Sequence, residues 1–259
     1  EENEEGCIYL ELEVKDLPKS EVDATLIPLL NHVLPTKMEW VEKKNSRYYS
    51  GVYHYSFISS APIMIDAYAD SIRHEGQACG DSFSIFRYSR FVLCMISDGM
   101  GSGEAAARIS GSITAIFQRM IASNIPQVEA IRCINQLILS DNYATFDVLN
   151  FDRFKKTVTI SKSAACPTYL IRNDEVYEIN GSSLPVGIVA AIEVDSIHVE
   201  VEKGDWFLMS SDGIYVDEIY RWIHQRRLAS AKEEVDSMME ILREKERNDD
   251  STILLAQVK

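Results

Sequence analysis

Four short acidic turns hold the residues best suited to chemistry: Gly80-Asp81-Ser82, Ser97-Asp98-Gly99-Met100-Gly101, Ser211-Asp212-Gly213 and Asp249-Asp250-Ser251-Thr252. Three of them abut an apolar, strand-like run, and Gly80-Asp81 opens one. Carboxylates delivered to strand ends, with glycine beside three of them, suit a hard cation. Mg²⁺ and Mn²⁺ take oxygen ligands, usually a few carboxylates plus waters. Taken singly, each turn reads as no more than a turn, because Gly tolerates positive φ and Asp caps its own backbone. The chemical reading rests on their recurrence in one arrangement.

The sharpest piece is Asp98-Gly99-Met100-Gly101-Ser102-Gly103. A strand ends on Asp98, the glycines let the backbone turn closely, and a helix begins at once with N–H groups that favour an anion. Gly101-x-Gly103-x-x-Ala106 also fits a dinucleotide fingerprint, but Asp98 would repel a pyrophosphate and no acidic residue falls at 117–127 to bind a ribose. A serine-esterase reading would join Gly80-Asp81-Ser82-Phe83 to Asp195-Ser-Ile-His198. It places Asp195 and His198 inside an alternating strand and leaves Asp98, Asp212 and Asp249 without a role.

Composition narrows the field. The 259 residues carry 40 Asp and Glu against 26 Lys and Arg, a formal charge of -14. That balance argues against sequence-independent nucleic-acid binding, which needs Lys and Arg on phosphates. It suits a divalent cation or a partner with a basic patch. Five scattered cysteines without a C-x-x-C pair argue against a disulfide framework and favour a reducing compartment. No apolar run approaches the length of a membrane span and no signal peptide is visible. The chain opens on Glu1, and a membrane segment upstream is compatible with this reading.

The elements that must position the turns follow from periodicity. Ile8, Leu10, Leu12 and Val14 alternate as a half-buried strand. Ser20 with Asp23 predicts a capping box opening a helix to about His32. Strands are expected at 38–48, 52–59 and 63–72. Segments 82–87 and 91–97 predict a hairpin whose second strand, nearly all apolar, is central. A helix from Ser102 or Gly103 presents Ile109, Ile113, Ile116, Phe117, Met120 and Ile121 on one face. A second, about 127–139, presents Ile131, Ile134, Leu137 and Ile138. Strands are then expected at 145–151, 157–164, 168–172, 176–180, 192–201 and 206–211, helices at 215–225 and 231–245, and a last strand at 252–258. This order predicts an α+β fold of mainly antiparallel sheets with helices over their outer faces.

The ordered blocks, together with Leu184-Pro185-Val186-Gly187 and Gly204-Asp205, resemble the bacterial branch of the PP2C-like metal-dependent serine/threonine phosphatases from about Ile63 to the end. Within that branch the sporulation-type phosphatases are most similar, with the general stress-response phosphatases as the nearest alternative. The resemblance implies an α-β-β-α sandwich over 61–259, with 1–60 as an N-terminal α/β extension or the end of an upstream regulatory region. It implies two Mn²⁺ or Mg²⁺ ions: Asp98 bridging both, Gly99 offering its carbonyl to one, Asp212 and Asp249 holding the first, and Asp81 holding the second largely through waters. Asp98 and Asp212 are its catalytic residues, and Asp250 is expected not to ligate directly. The resemblance further implies a phosphorylated anti-anti-sigma-factor-like protein as substrate, no nucleic acid, and no membrane contact from this segment. It also implies a homodimer contact through helices near 103–139 that act as a switch on Gly99, and a cytoplasmic location, alone or as the cytoplasmic part of a membrane protein. The phosphate-binding arginine of eukaryotic members has no counterpart in Arg73-His74-Glu75-Gly76-Gln77-Ala78-Cys79. A non-catalytic scaffold of the same fold is the alternative from another class.

Overall fold

The structure is a computed structural model that describes residues 7–41, 48–49, 51–74, 78–101, 103–138, 143–226 and 230–259. Elements are numbered in chain order. Strand β1 (Tyr9–Lys15) leads into one 3-10 turn (Lys19–Glu21), one π turn (Val22–Leu26) and helix α1 (Ile27–Val33). The capping box expected at Ser20 and Asp23 does not form, since none of these segments has a side-chain cap bond. Winding through 3-10 and π geometry removes the regular N3 position that such a box needs.

The long strand expected at 38–48 is interrupted. β2 (Met38–Val41) and β3 (Tyr48–Tyr49) both pair with β4 (Val52–Ser59), and residues 42–47 lie outside the described residues. Together with β1 they make a four-stranded sheet whose inner face, around Val22, Met38, Tyr55 and Phe57, is a separate apolar cluster.

The remaining strands form two five-stranded sheets. One runs β11 (Glu175–Ile179), β10 (Thr168–Arg172), β13 (Trp206–Ser210), β14 (Ser251–Val258), β5 (Ile65–Ile72). The other runs β12 (Asp195–Glu200), β9 (Thr157–Ser163), β8 (Phe146–Asp152), β7 (Phe91–Asp98), β6 (Asp81–Tyr88). Every pairing within both sheets is antiparallel.

The sheets face each other across an apolar layer containing Cys94, Ile96, Leu149, Phe151, Phe207, Met209 and Leu254. Fully burying a side chain of this size contributes roughly 1.5–3 kcal/mol. Helices α2 (Gly103–Ala122) and α3 (Gln127–Leu137) cover the outer face of the β6–β7 sheet through Ile113, Phe117, Ile121, Ile131 and Ile134. Helices α4 (Val216–Gln225) and α5 (Ala231–Arg243) cover the other sheet through Ile219, Trp222, Val235 and Met239. The result is an α-β-β-α sandwich. Two expectations fail locally. Leu137, expected on the packed face of α3, is 63% exposed where the helix ends. The strand expected at 192–201 holds ladder pairing only over Asp195–Glu200, as the outermost strand of its sheet.

The four-stranded sheet docks at one end of the sandwich. Tyr9 Oη meets Ser89 Oγ in the β6–β7 turn, and Glu39 Oε2 lies 3.1 Å from Arg153 Nη1, just past β8. Asp98 is at the other end of β7.

Candidate metal centre

Alternation along the strands builds the site. Residues that share parity with the apolar inter-sheet layer become polar at one end of every strand of the two five-stranded sheets but β11: Ser71 on β5, Asp81 on β6, Asp98 on β7, Asp147 on β8, Lys162 on β9, Thr168 on β10, Asp195 on β12, Ser211 just after β13 and Thr252 on β14. The apolar core thus ends in a polar layer, and the sequence-predicted aspartates sit in it or on its rim.

Register brings Asp81 and Asp98 directly opposite each other on β6 and β7. Asp81 is 6% exposed and its Oδ2 has no hydrogen-bond partner. Asp98 is half-buried, while Asp212 and Asp249 are exposed on the rim. Exposure therefore rises from Asp81 outward.

Burial raises the proton affinity of these carboxyls, and their mutual repulsion adds to it. Asp98 is pushed up to about 8 by desolvation and then by the charges of Asp81, Asp212 and Asp249. Asp81 is raised to about 6, mainly by desolvation, against the lowering influence of the nearby Ser211 and Thr252 hydroxyls. Asp212 is raised by desolvation and by Asp249.

The backbone around them is tightly specified. A Cβ on Gly99 would lie 2.3 Å from the Ala106 carbonyl oxygen of α2, and one on Gly213 would lie 2.1 Å from the Asp250 carbonyl oxygen. Neither close approach tolerates a side chain, which is why each acidic turn carries glycine at that place. Gly99 pairs as an isolated bridge with Ala144, and Ala144 with Val186. Gly187 N–H donates to Asn135 Oδ1 of α3 at 2.8 Å, so helix α3 is tied by bonds to the strand end at Asp98.

Asp250 is used locally: it accepts the N–H groups of His74 at 2.7 Å and Gly80 at 2.5 Å, fixing the approach to Asp81. The rim turn is held from below. Arg247, 7% exposed, donates to the Gly213 carbonyl and to both oxygens of Glu218. Sequence reading missed Arg247, Asp147, Lys162 and Asn135 as supports. The signal for Asp147 was its shared parity with inward-facing Leu149 and Phe151.

The competing motif reading dissolves. Ser82 Oγ bonds Ser110 Oγ, His198 Nδ1 bonds Thr159 Oγ1, and Asp195 caps the turn at Ser182 and Ser183. β6 and β12 are opposite edges of the same sheet, so no Ser–His–Asp group assembles.

Among the described residues no three His, Cys, Asp or Glu side chains are grouped so as to hold a metal ion by themselves. Hard cations that retain several waters need few direct carboxylates, so an open rim of this kind fits them. The buried orphan oxygen of Asp81 and the repulsion that raises Asp98 also fit a cation held there. A pH consequence follows. In metal-free protein Asp81 and Asp98 hold protons that the unfolded chain releases above its ordinary carboxylate range. Their contribution to stability is complete below about pH 4 and is lost as pH rises through about 6 and about 8. A cation takes over the protons' role. The Mn²⁺-induced rise in Tm should be larger at pH 8 than at pH 6 in thermal melts; equal rises would contradict the charge assignment.

None of the five cysteines forms a disulfide. No helix among the described residues is long and apolar enough to cross a membrane.

Comparison with known proteins gives consistent relatives. A family model described as Stage II sporulation protein E (SpoIIE) matches residues 89–259. Stage II sporulation protein E of Priestia megaterium is 27% identical over 259 residues, covering 93% of this chain and 44% of that protein. The chain therefore spans less than half the length of that relative. Phosphoserine phosphatase RsbX of Bacillus subtilis (strain 168) is 25% identical over 190 residues, covering 72% of this chain and 92% of that one. A structure of RsbX in complex with magnesium superposes with a TM-score of 0.65 at 20% identity, covering 86% of this chain and 100% of that one. The PP2C phosphatase domain of SpoIIE from Bacillus subtilis, solved with a fragment of its regulatory domain, superposes with a TM-score of 0.71. It is 24% identical and covers 99% of this chain and 80% of that one. The structural likenesses carry the fold, which is PP2C-like.

Proposed function

The chain belongs to the stage II sporulation protein E family, and from that footing we propose that it is a metal-dependent protein-serine/threonine phosphatase acting on a phosphoserine regulatory protein of the anti-anti-sigma-factor kind. The observation that carries this reading is the polar end of the sandwich, where Asp81 and Asp98 face each other in register and Asp212 and Asp249 charge the rim.

In this reading Asp98 would serve both ions with the Gly99 carbonyl beside it, Asp212 and Asp249 would hold the first ion, and Asp81 would hold the second largely through waters. Bound Mn²⁺ or Mg²⁺ would lower the pKa of a coordinated water and neutralise charge on the phosphoryl oxygens. The chain's own part is positional. Register fixes Asp81 against Asp98, the Gly99–Ala144 bridge holds the backbone after Asp98, and Arg247 holds the Asp212 turn. Residues 1–60 would act as an N-terminal α/β extension or the end of an upstream regulatory region, and 61–259 as the catalytic unit. Helices α2 and α3 would supply a homodimer contact, with the bonds from Asn135 to the Gly187 segment carrying its effect toward Gly99. The relationship to RsbX supports a second reading, a stress-response rather than a sporulation role for the same chemistry.

Without a dedicated phosphate-binding arginine before Asp81, much of the binding energy must come from the protein surrounding the phosphoserine, and small phosphate esters should be poor substrates. The test is Mn²⁺-dependent phosphate release from a phosphoserine protein compared with a small aryl phosphate. The expected result is metal-dependent release, faster by orders of magnitude in kcat/KM for the protein. No release from any phosphoserine protein with Mn²⁺ present would favour the non-catalytic scaffold.

A further inference from the structure

A second buried charge group lies beside the acidic cluster and is not used by the reading above. Lys162 is fully buried, and its Nζ lies 2.6 Å from Asp147 Oδ2 and 2.9 Å from Thr168 Oγ1. Thr168 Oγ1 also donates to Asp147 Oδ2 at 2.9 Å. Asp147 is 2% exposed, and its other oxygen, Oδ1, has no partner. A buried carboxylate oxygen left bare carries its full desolvation penalty, so it calls for a donor.

Asp147 lines a cavity of about 50 Å³ whose other walls include Asp98, Thr145, Cys166, Ser211 and Asp212. A water needs roughly 10–15 Å³ of such space and two to four polar partners. This cavity offers both. Thr145 Oγ1, which accepts the Asp98 N–H at 3.1 Å, is on the same wall.

We propose that this cavity is a built water site in which a water donates one hydrogen to Asp147 Oδ1 and the other to the Asp98 carboxylate, making Asp147 a positioning residue for the metal-holding end of β7. Lys162 and Thr168 fix Asp147 from the other side, so that only Oδ1 is presented to the cavity. The chain of contacts runs from Thr168 on β10, through Lys162 on β9 and Asp147 on β8, to Asp98 on β7. It joins the two sheets at the level of the site. Outer partners of this kind orient a ligand, and losing one typically costs 10–100-fold in metal affinity.

The inference rests on the reading of Asp98 as a metal-holding residue. Its test separates the two. Mn²⁺ binding is measured by calorimetry on wild type, Asp147→Asn, the paired variant Asp147→Asn with Lys162→Met, and Asp98→Asn, with the Tm of each metal-free protein. The paired variant removes the buried lysine charge together with its partner and serves where Asp147→Asn alone does not fold. Mn²⁺ affinity is expected to fall 10–100-fold in the Asp147 variants while the fold persists. Loss of binding in Asp98→Asn with affinity within twofold of wild type in a folded Asp147 variant overturns the water site alone. Unchanged binding in Asp98→Asn overturns the metal reading itself.

Discussion

Asp98→Asn is expected to lower phosphatase turnover at least about a thousandfold, the equivalent of roughly 4 kcal/mol of lost transition-state stabilisation, while raising the Tm of the metal-free protein. Both halves come from one geometry. Asp98 is half-buried and faces Asp81 in register, with the charges of Asp212 and Asp249 also acting on it, so its carboxyl is pushed up to about 8. An amide of the same shape ends that repulsion and stabilises the fold. It also withdraws the oxygen charge that a cation would bridge. Mn²⁺ should then no longer raise the Tm. Asp212→Asn should lose comparable turnover with a smaller gain in Tm, because Asp212 is exposed on the rim. Retained turnover in either purified variant would remove these residues from the mechanism.

Arg247→Met has the largest expected effect on stability. Arg247 donates to both Glu218 oxygens at 2.8 and 2.9 Å and to the Gly213 carbonyl at 3.2 Å, all buried. Removing one member of a buried pair costs about 3–5 kcal/mol, because the other charge is stranded. Lys245 Nζ, 2.7 Å from Glu218, softens this, so the loss should be near about 3 kcal/mol, or roughly 6–12 °C in Tm. The pH dependence identifies the cause. Burial alone would raise Glu218, but its bonds to Arg247 and Lys245 outweigh burial and hold it down to about 2. That depressed carboxyl stabilises the fold above the unfolded value and ceases to as pH falls from about 4.5 towards about 2. The gap in Tm between wild type and Arg247→Met should therefore be full at pH 7 and shrink by pH 3. A constant gap would mean that packing, not charge, is the loss. Adding Glu218→Gln should recover much of the stability.

The strands that deliver the aspartates were legible because their signals are local. The apolar run at 91–97 announced a central strand, and the glycines at 99 and 101 announced the turn after it. Hairpin logic paired it with 82–87, which sets Asp81 opposite Asp98. The supports were not legible because their partners are far apart in sequence. Arg247 meets Glu218 across 29 residues, and Lys162 meets Asp147 across 15. Either charge alone reads as a surface residue on a helix end or a strand. Only parity hinted otherwise for Asp147. The capping box at Ser20 failed because a side-chain motif presumes regular helical winding, and residues 19–26 wind otherwise.

The N-terminal sheet grips the sandwich at the Ser89 turn and at Arg153, while the acidic cluster sits at the other end of the strands that carry them. The eight residues of β7 span the separation, roughly 25 Å at about 3.3 Å per residue. That grip is a full strand length away from Asp98. Any message it sends must travel as a tilt or slide of whole strands, or detour through the helices laid over them, and a stiff lever of that length turns a small displacement at the grip into a comparable displacement at the aspartates.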